Sequence, residues 1–172
     1  MLKAAGCCMI LAGCFGMGLW YRSQFTGRIK ALRQLQTILE LLCSEIRYGR
    51  GTLPEACGRV APRLSPPCRE AFIQTAERMR ENSGESFEKI FRECMEPPLG
   101  EMPLTDGDRE EFLRFVPGSG FMDGQMQLRM IEESREQLKA RTEGLERENA
   151  EKCRMAVGLG AMSGLIIILV LC

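Results

Sequence analysis

Residues 28–48, RIKALRQLQTILELLCSEIRY, decide the fold class. Apolar residues recur at Leu32, Leu35, Leu39, Leu42 and Ile46, in steps of 3, 4, 3 and 4. Such positions fall on one line only in a helix of about 3.6 residues per turn. Ile38 and Cys43 widen that line into a face suited to a bundle core. Gly49 and Gly51 close the helix, because glycine loses more backbone freedom in a helix than any other residue.

Downstream, the same period returns in shorter pieces. A second helix begins at Leu53-Pro54-Glu55, where proline suits the first turn, and stops near Pro62. Pro66-Pro67 opens a third, with Phe72, Ile73, Ala76 and Met79 on one side, running to Asn82-Ser83-Gly84. The fourth is short, carrying Phe87, Ile90, Phe91 and Cys94, and is expected to break at Pro97-Pro98. Thr105 and Asp108 resemble a capping box, with Asp in place of the usual Glu, and start a fifth helix through Phe112, Leu113 and Val116. After Pro117-Gly118-Ser119-Gly120 comes the longest element: 123–153 contain no proline and two glycines, Gly124 and Gly144. Leu128, Ile131, Leu138 and Leu145 form its thin apolar stripe. No alternating β-pattern occurs. The expected fold is all-α, a small bundle of about six helices.

Outward again, both ends are apolar. The runs 4–21 and 155–172 are each 18 residues without a charge. That length spans about 27 Å of helix, near the short end of what a bilayer core requires. Three regions follow: a transmembrane helix at 4–21, a helical bundle domain at 22–154 and a second transmembrane helix at 155–172. The last long helix is expected to continue into the second span. Basic flanks set the orientation, with Arg22, Arg28, Lys30 and Arg33 after the first run and Arg147, Lys152 and Arg154 before the second. Basic residues near membrane ends favour the cytoplasmic side, which places the bundle in the cytoplasm and both termini outside. Cys8, Ala12 and Gly16 in one run, and Ala156, Gly160 and Gly164 in the other, are small residues at every fourth position. Such stripes let helices pack closely in lipid, within a chain or between subunits. A rival reading takes Leu11-Ala12-Gly13-Cys14 as a lipobox cut before Cys14. The region before it is short, and the sequence after Cys14 stays apolar, so an uncleaved span is preferred.

Composition removes several function classes. With no histidine, no P-loop and no G-x-S-x-G, the chain lacks the groups that most catalysis uses, and it is read as a non-enzyme. Nine cysteines include no C-x-x-C pair, so buried hydrophobes in a reducing compartment explain them better than a metal site. Asp106-Gly107-Asp108 lacks the glutamate of a calcium loop, and helix capping accounts for both aspartates. Residues 65–154 carry 14 basic and 20 acidic side chains, which argues against nucleic acid. Residues 22–64 carry eight basic and three acidic, suited to anionic lipid near the membrane. No cofactor or metal is implied.

The residues also carry a resemblance. Within 41–56, LLCSEIRYGRGTLPEA, a Glu-Ile-x-Tyr-Gly run ends the first helix and Leu-Pro-Glu-Ala starts the next. Asp108-Arg109-Glu110 leads to Leu113, then to Gly120, Asp123 and Gln127-Leu128. Together with the two terminal runs and the length, these resemble the stage III sporulation protein AB family over essentially the whole chain. One departure is visible: the family's Leu-Gly-x-x-Leu-Gly is Phe115-Val116-Pro117-Gly118-Ser119-Gly120 here, keeping the second glycine.

The resemblance implies a bundle similar to the F-type inner-membrane platform domains of type II secretion and type IV pilus machines. It implies a place in the transenvelope complex between mother cell and forespore, in the outer forespore membrane. A secretion-type ATPase encoded nearby and other sporulation channel membrane proteins are the implied partners, with a homo-oligomer also open. The partner-binding surface is expected at the corner between the first two helices: Glu45, Tyr48, Gly49, Leu53, Pro54 and Glu55. The alternatives are a self-assembling structural membrane protein without ATPase contact, or the exported lipoprotein.

Overall fold

The computed structural model describes the backbone of residues 2–49, 51–81, 84–118 and 123–171, and the side chains of 26–49, 51–81, 84–118 and 123–151. Among the described residues there are six α-helices, one 3-10 turn and no strand. They are α1 (Leu2–Gly49), α2 (Leu53–Val60) leading into the turn Ala61–Arg63, α3 (Cys68–Arg80), α4 (Phe87–Glu101), α5 (Asp106–Leu113) and α6 (Gly124–Leu171).

Two of these are rods. α1 and α6 have 48 residues each, on the order of 70 Å of helix. Their pairing is antiparallel: Arg47 meets Glu132, Gln36 meets Thr142 and Arg33 meets Glu146. Fourteen residues back along α1 match fourteen forward along α6, so one register holds throughout this stretch. The expected seam of α1 is the buried one. Leu32, Leu35, Leu39 and Leu42 are fully buried with Ile38, Cys43 lies beside them, and Ile46 is only partly covered. Each such burial is worth about 1.5–3 kcal/mol, which is why the seam and not helix propensity fixes this element.

On α6 the stripe has a different make-up from the one expected. Ile131 and Leu138 are buried and Leu128 and Leu145 partly so, but Ser134 and Thr142 fill the seam between them. Thr142 satisfies its hydroxyl locally, donating to the Leu138 carbonyl at 2.8 Å and accepting from Gln36 Nε2 at 2.6 Å. A scan for apolar periodicity cannot find such positions. Asp123 starts the helix, its Oδ1 accepting the Met126 N–H at 2.8 Å.

The short helices pack a second layer around an aromatic cluster. Phe91 is stacked on Phe87 at 5.3 Å and meets Phe72 and Phe115 edge-on at 5.6 and 5.7 Å, while Phe112 closes on Phe115 at 6.2 Å. These rings tie α3, α4 and α5 to the core. Two expectations need correction here. Ile73 is 39% exposed: the buried face of α3 is Cys68, Ala71, Phe72, Thr75 and Ala76, and Ile73 lies about 100° round from Phe72. α4 also does not break at its prolines but runs on to Glu101. Pro97 and Pro98 offer no N–H to the carbonyls of Glu93 and Cys94, yet Met95, Pro98 and Leu99 continue the buried stripe of Phe87, Ile90, Phe91 and Cys94. Core packing holds the last turn where local preference would end it.

Among the described residues no helix is long and apolar enough to cross a membrane. The runs 4–21 and 155–172, with the packing positions Cys8, Ala12, Gly16, Ala156, Gly160 and Gly164 and the lipobox Cys14, lie outside the residues whose side chains are described.

Candidate partner-binding corner

α1 ends at Gly49, and three residues later Thr52 caps α2. The cap is a capping box: the Thr52 N–H donates to Glu55 Oε2 at 3.0 Å. Thr-x-x-Glu at 52–55 was the signal for it, and it explains Glu55 as a local structural group. Leu53 is buried in the core and Pro54 is half-buried. Glu45 is also committed, its Oε2 accepting from Arg59 Nε at 2.7 Å while Arg63 Nη1 lies 3.7 Å from Oε1.

Two glycines make room for that arginine. A β-carbon on Gly49 would stand 2.7 Å from Arg59 Nη2, and one on Gly51 would stand 2.7 Å from the same atom and 2.5 Å from Glu55 Oε2. The corner is therefore a clasp: Glu45 of α1 holds Arg59 of α2 across a glycine-lined gap. The turn between the two helices, with the resemblance, put Glu45, Tyr48, Gly49, Leu53, Pro54 and Glu55 here but missed Arg59 and Arg63, which lie 14 and 18 residues beyond Glu45.

Tyr48 is what the clasp presents outward. It is 77% exposed, the most exposed large hydrophobic among the described residues. Next to it, Arg47 pairs with Glu132 of α6. Glu132 also lines a groove of about 500 Å³ with Asp123, Gln125, Met126, Leu128 and Arg129. Met126 is exposed as well. One end of the bundle thus combines a projecting tyrosine, an exposed methionine and an open groove.

The corner offers an exposed aromatic ring and paired charged side chains. Among the described residues no group of three or more Cys, Asp or Glu could hold a metal ion. Burial pushes the thiols of Cys43 and Cys68 up to about 11, and that of Cys57 higher still. At neutral pH these are protonated core residues, with no nucleophilic character.

A second polar centre lies away from the corner. Asp108 is fully buried and takes Arg28 Nε on Oδ2 at 2.9 Å and Arg28 Nη2 on Oδ1 at 3.1 Å. Its Oδ2 also accepts the Thr105 N–H at 3.1 Å, completing the expected cap of α5. Burial opposes its charge, but the Arg28 and Thr105 hydrogen bonds outweigh it and hold the carboxyl below the usual range. Capping alone, the role read from sequence, is only part of what this residue does.

Residues 3–172 match the family described as stage III sporulation protein AB. The chain belongs to the stage III sporulation protein AB family. It is 26% identical over 171 residues to stage III sporulation protein AB of Bacillus subtilis (strain 168), covering 99% of both chains. Its fold is similar to a solved stage III sporulation protein AB, with a TM-score of 0.62 and 22% identity over 72% of this chain and 97% of that one. For this stage III sporulation protein AB family member, the motif residues fall at the α1–α2 corner, at the buried centre and, with Asp123 and Leu128, along the α6 groove. Glu45 and Gly49 belong to the clasp, Tyr48 projects from it, Leu53 to Ala56 form the first turn of α2, and Asp108 builds the buried centre.

Proposed function

We propose that this chain is a membrane platform of the sporulation transenvelope complex, which binds and positions a secretion-type ATPase. In this reading 4–21 and 155–172 are spans in the outer forespore membrane, both termini lie outside the cytoplasm, and 22–154 face the mother-cell cytoplasm. The small-residue stripes of the spans pack with each other or with other channel proteins. The ATPase supplies the energy, and this chain supplies the place where its force is held.

The observation that carries the reading is Tyr48. Its ring is 77% exposed on the last turn of α1, open to a partner. Tyrosine is among the residues that dominate protein interfaces, because its ring buries a large area at little entropic cost. The Glu45–Arg59 pair ties the end of α1 to α2, and the Thr52–Glu55 cap fixes the start of α2, so these helix ends meet a partner already placed. Within the corner, Tyr48 and the exposed edge of Pro54 and Glu55 make contact, while Glu45, Gly49 and Leu53 shape the surface from beneath.

The test is co-purification of the full chain in detergent with the neighbouring ATPase at about 150 mM salt, where surface attraction is largely screened. Co-elution that Tyr48→Ala abolishes, in a chain that unfolds at the unchanged temperature, supports the corner as the docking site. Separate elution of two folded proteins overturns the ATPase contact and favours the self-assembling structural alternative.

A further inference from the structure

The α1–α6 pair is held by different forces along its length. Up to Leu138, α6 rests on the core through Leu128, Ile131 and Leu138. Beyond it, residues 139–151 (KARTEGLERENAE) contain one large apolar side chain, Leu145, and it is only partly covered. Polar links hold this stretch, among them Gln36 to Thr142 at 2.6 Å, Arg33 to Glu146 at 2.8 Å, and Arg141 to α5. In the last, Arg141 Nη1 lies 3.4 Å from Asp108 Oδ1 and Nη2 lies 3.4 Å from Glu111 Oε2.

A second, independent feature falls in the same stretch. Gly144 sits inside the helix, and a β-carbon there would meet nothing within 4 Å. Packing therefore does not ask for glycine. In a helix interior it costs about 1 kcal/mol relative to alanine, so its effect here is to soften the rod.

We propose that residues 139–151 of α6 form a charge-held strap that disengages from α1 and α5 while the core stays folded, with Arg141 as its latch and Gly144 as its soft point. Segments with few buried apolar contacts open at lower free energy than the core, and those are the ones that move. α1 has no matching weakness, since Ile29, Ala31, Leu32 and Leu35 bury it along the same stretch. Release thus changes the course of α6 relative to α1. Arg141 suits a latch because its loss strands no partner: Asp108 keeps Arg28 and the Thr105 N–H, and Glu111 keeps Arg114 at 3.5 Å. The inference goes beyond the platform reading and does not depend on an ATPase.

Amide hydrogen exchange of the full chain in detergent, read by peptide, tests it. Peptides covering 139–151 are expected to exchange at least about tenfold faster than those covering 128–138 and 29–43. The gap widens between about 50 and 500 mM salt as the ion pairs are screened, and widens again in Arg141→Gln. Gly144→Ala, which has open space for its methyl group, is expected to narrow it. Equal exchange across α6, or a rise in every peptide of Arg141→Gln together, would overturn the strap. So would a Gly144→Ala variant that exchanges over 139–151 as the wild type does.

Discussion

Arg59 lies against Gly51, its Nη2 2.7 Å from where a β-carbon on that glycine would stand, and from there it holds Glu45 at 2.7 Å. The clasp that joins α1 to α2 thus depends on an absent side chain. Gly51→Ala displaces both Arg59 and Glu55 Oε2, and nothing is gained in return because residue 51 is outside any helix. The expected cost is about 1 kcal/mol, the size of a lost cap. Gly49→Ala also pushes on Arg59, but alanine favours the last turn of α1, and an exposed ion pair is worth about as much as that gain. It is expected to stay within about 0.5 kcal/mol of wild type. Denaturant melts of the two variants check the order: Gly51→Ala must be the weaker protein.

The aromatic cluster sets the largest single effect. Phe91 touches three other rings and is fully buried, so Phe91→Ala is expected to cost about 3–5 kcal/mol. Ile73→Ala, one helix away and 39% exposed, is expected to cost under about 1 kcal/mol. Similar losses for the two would mean that the core is not centred on these rings.

Acid acts through Asp108. Its folded-state pKa is depressed, so the unfolded chain binds the proton more readily. The stabilisation is complete above the ordinary carboxylate pKa of about 3.9 and is lost as pH falls through the folded value. Asp108→Asn has no such proton to take up and starts from a lower stability, with Arg28 left without its anion. Unfolding measured from about pH 6 down to pH 3 is expected to show the two curves converging. Parallel curves would remove Asp108 from the acid response.

Thiol chemistry reports on the core without a substitution. Cys43, Cys57, Cys68 and Cys94 are buried, and burial raises the first three well above neutral pH. At pH 8 in the folded protein these four are expected to resist a maleimide that labels them fully in denaturant, as mapped by peptide mass spectrometry. Rapid labelling of Cys57 in the native state would contradict the packing of α2 against α3.

What could be read from the chain was local. The α1 seam, the glycines that end it, the proline start of α2 and the Thr105–Asp108 cap all appear in the structure as read, because each acts within one or two helical turns. Most of the corner was legible for the same reason: Glu45, Tyr48, Gly49, Leu53 and Glu55 are neighbours in sequence. Tyr48 could be placed at the end of a helix but not known to be exposed, since exposure depends on what packs there. Arg59 was invisible as a partner of Glu45 until α2 folded back over the gap.

By itself, the sequence determined which segments are helical and where most of them start and stop, because hydrophobic period and capping are properties of short stretches of backbone. Tertiary structure decided the rest. It carried α4 through Pro97-Pro98, since buried Met95 and Leu99 outweigh two missing donors. It turned Ile73 outward, and placed Ser134 and Thr142 in the rod seam, where small residues fit and polarity is satisfied nearby or tolerated. It also brought Arg28 to Asp108 across 80 residues of chain. The physical reason is range: torsional preference and capping act over a few residues, whereas burial and charge pairing depend on which faces finally meet.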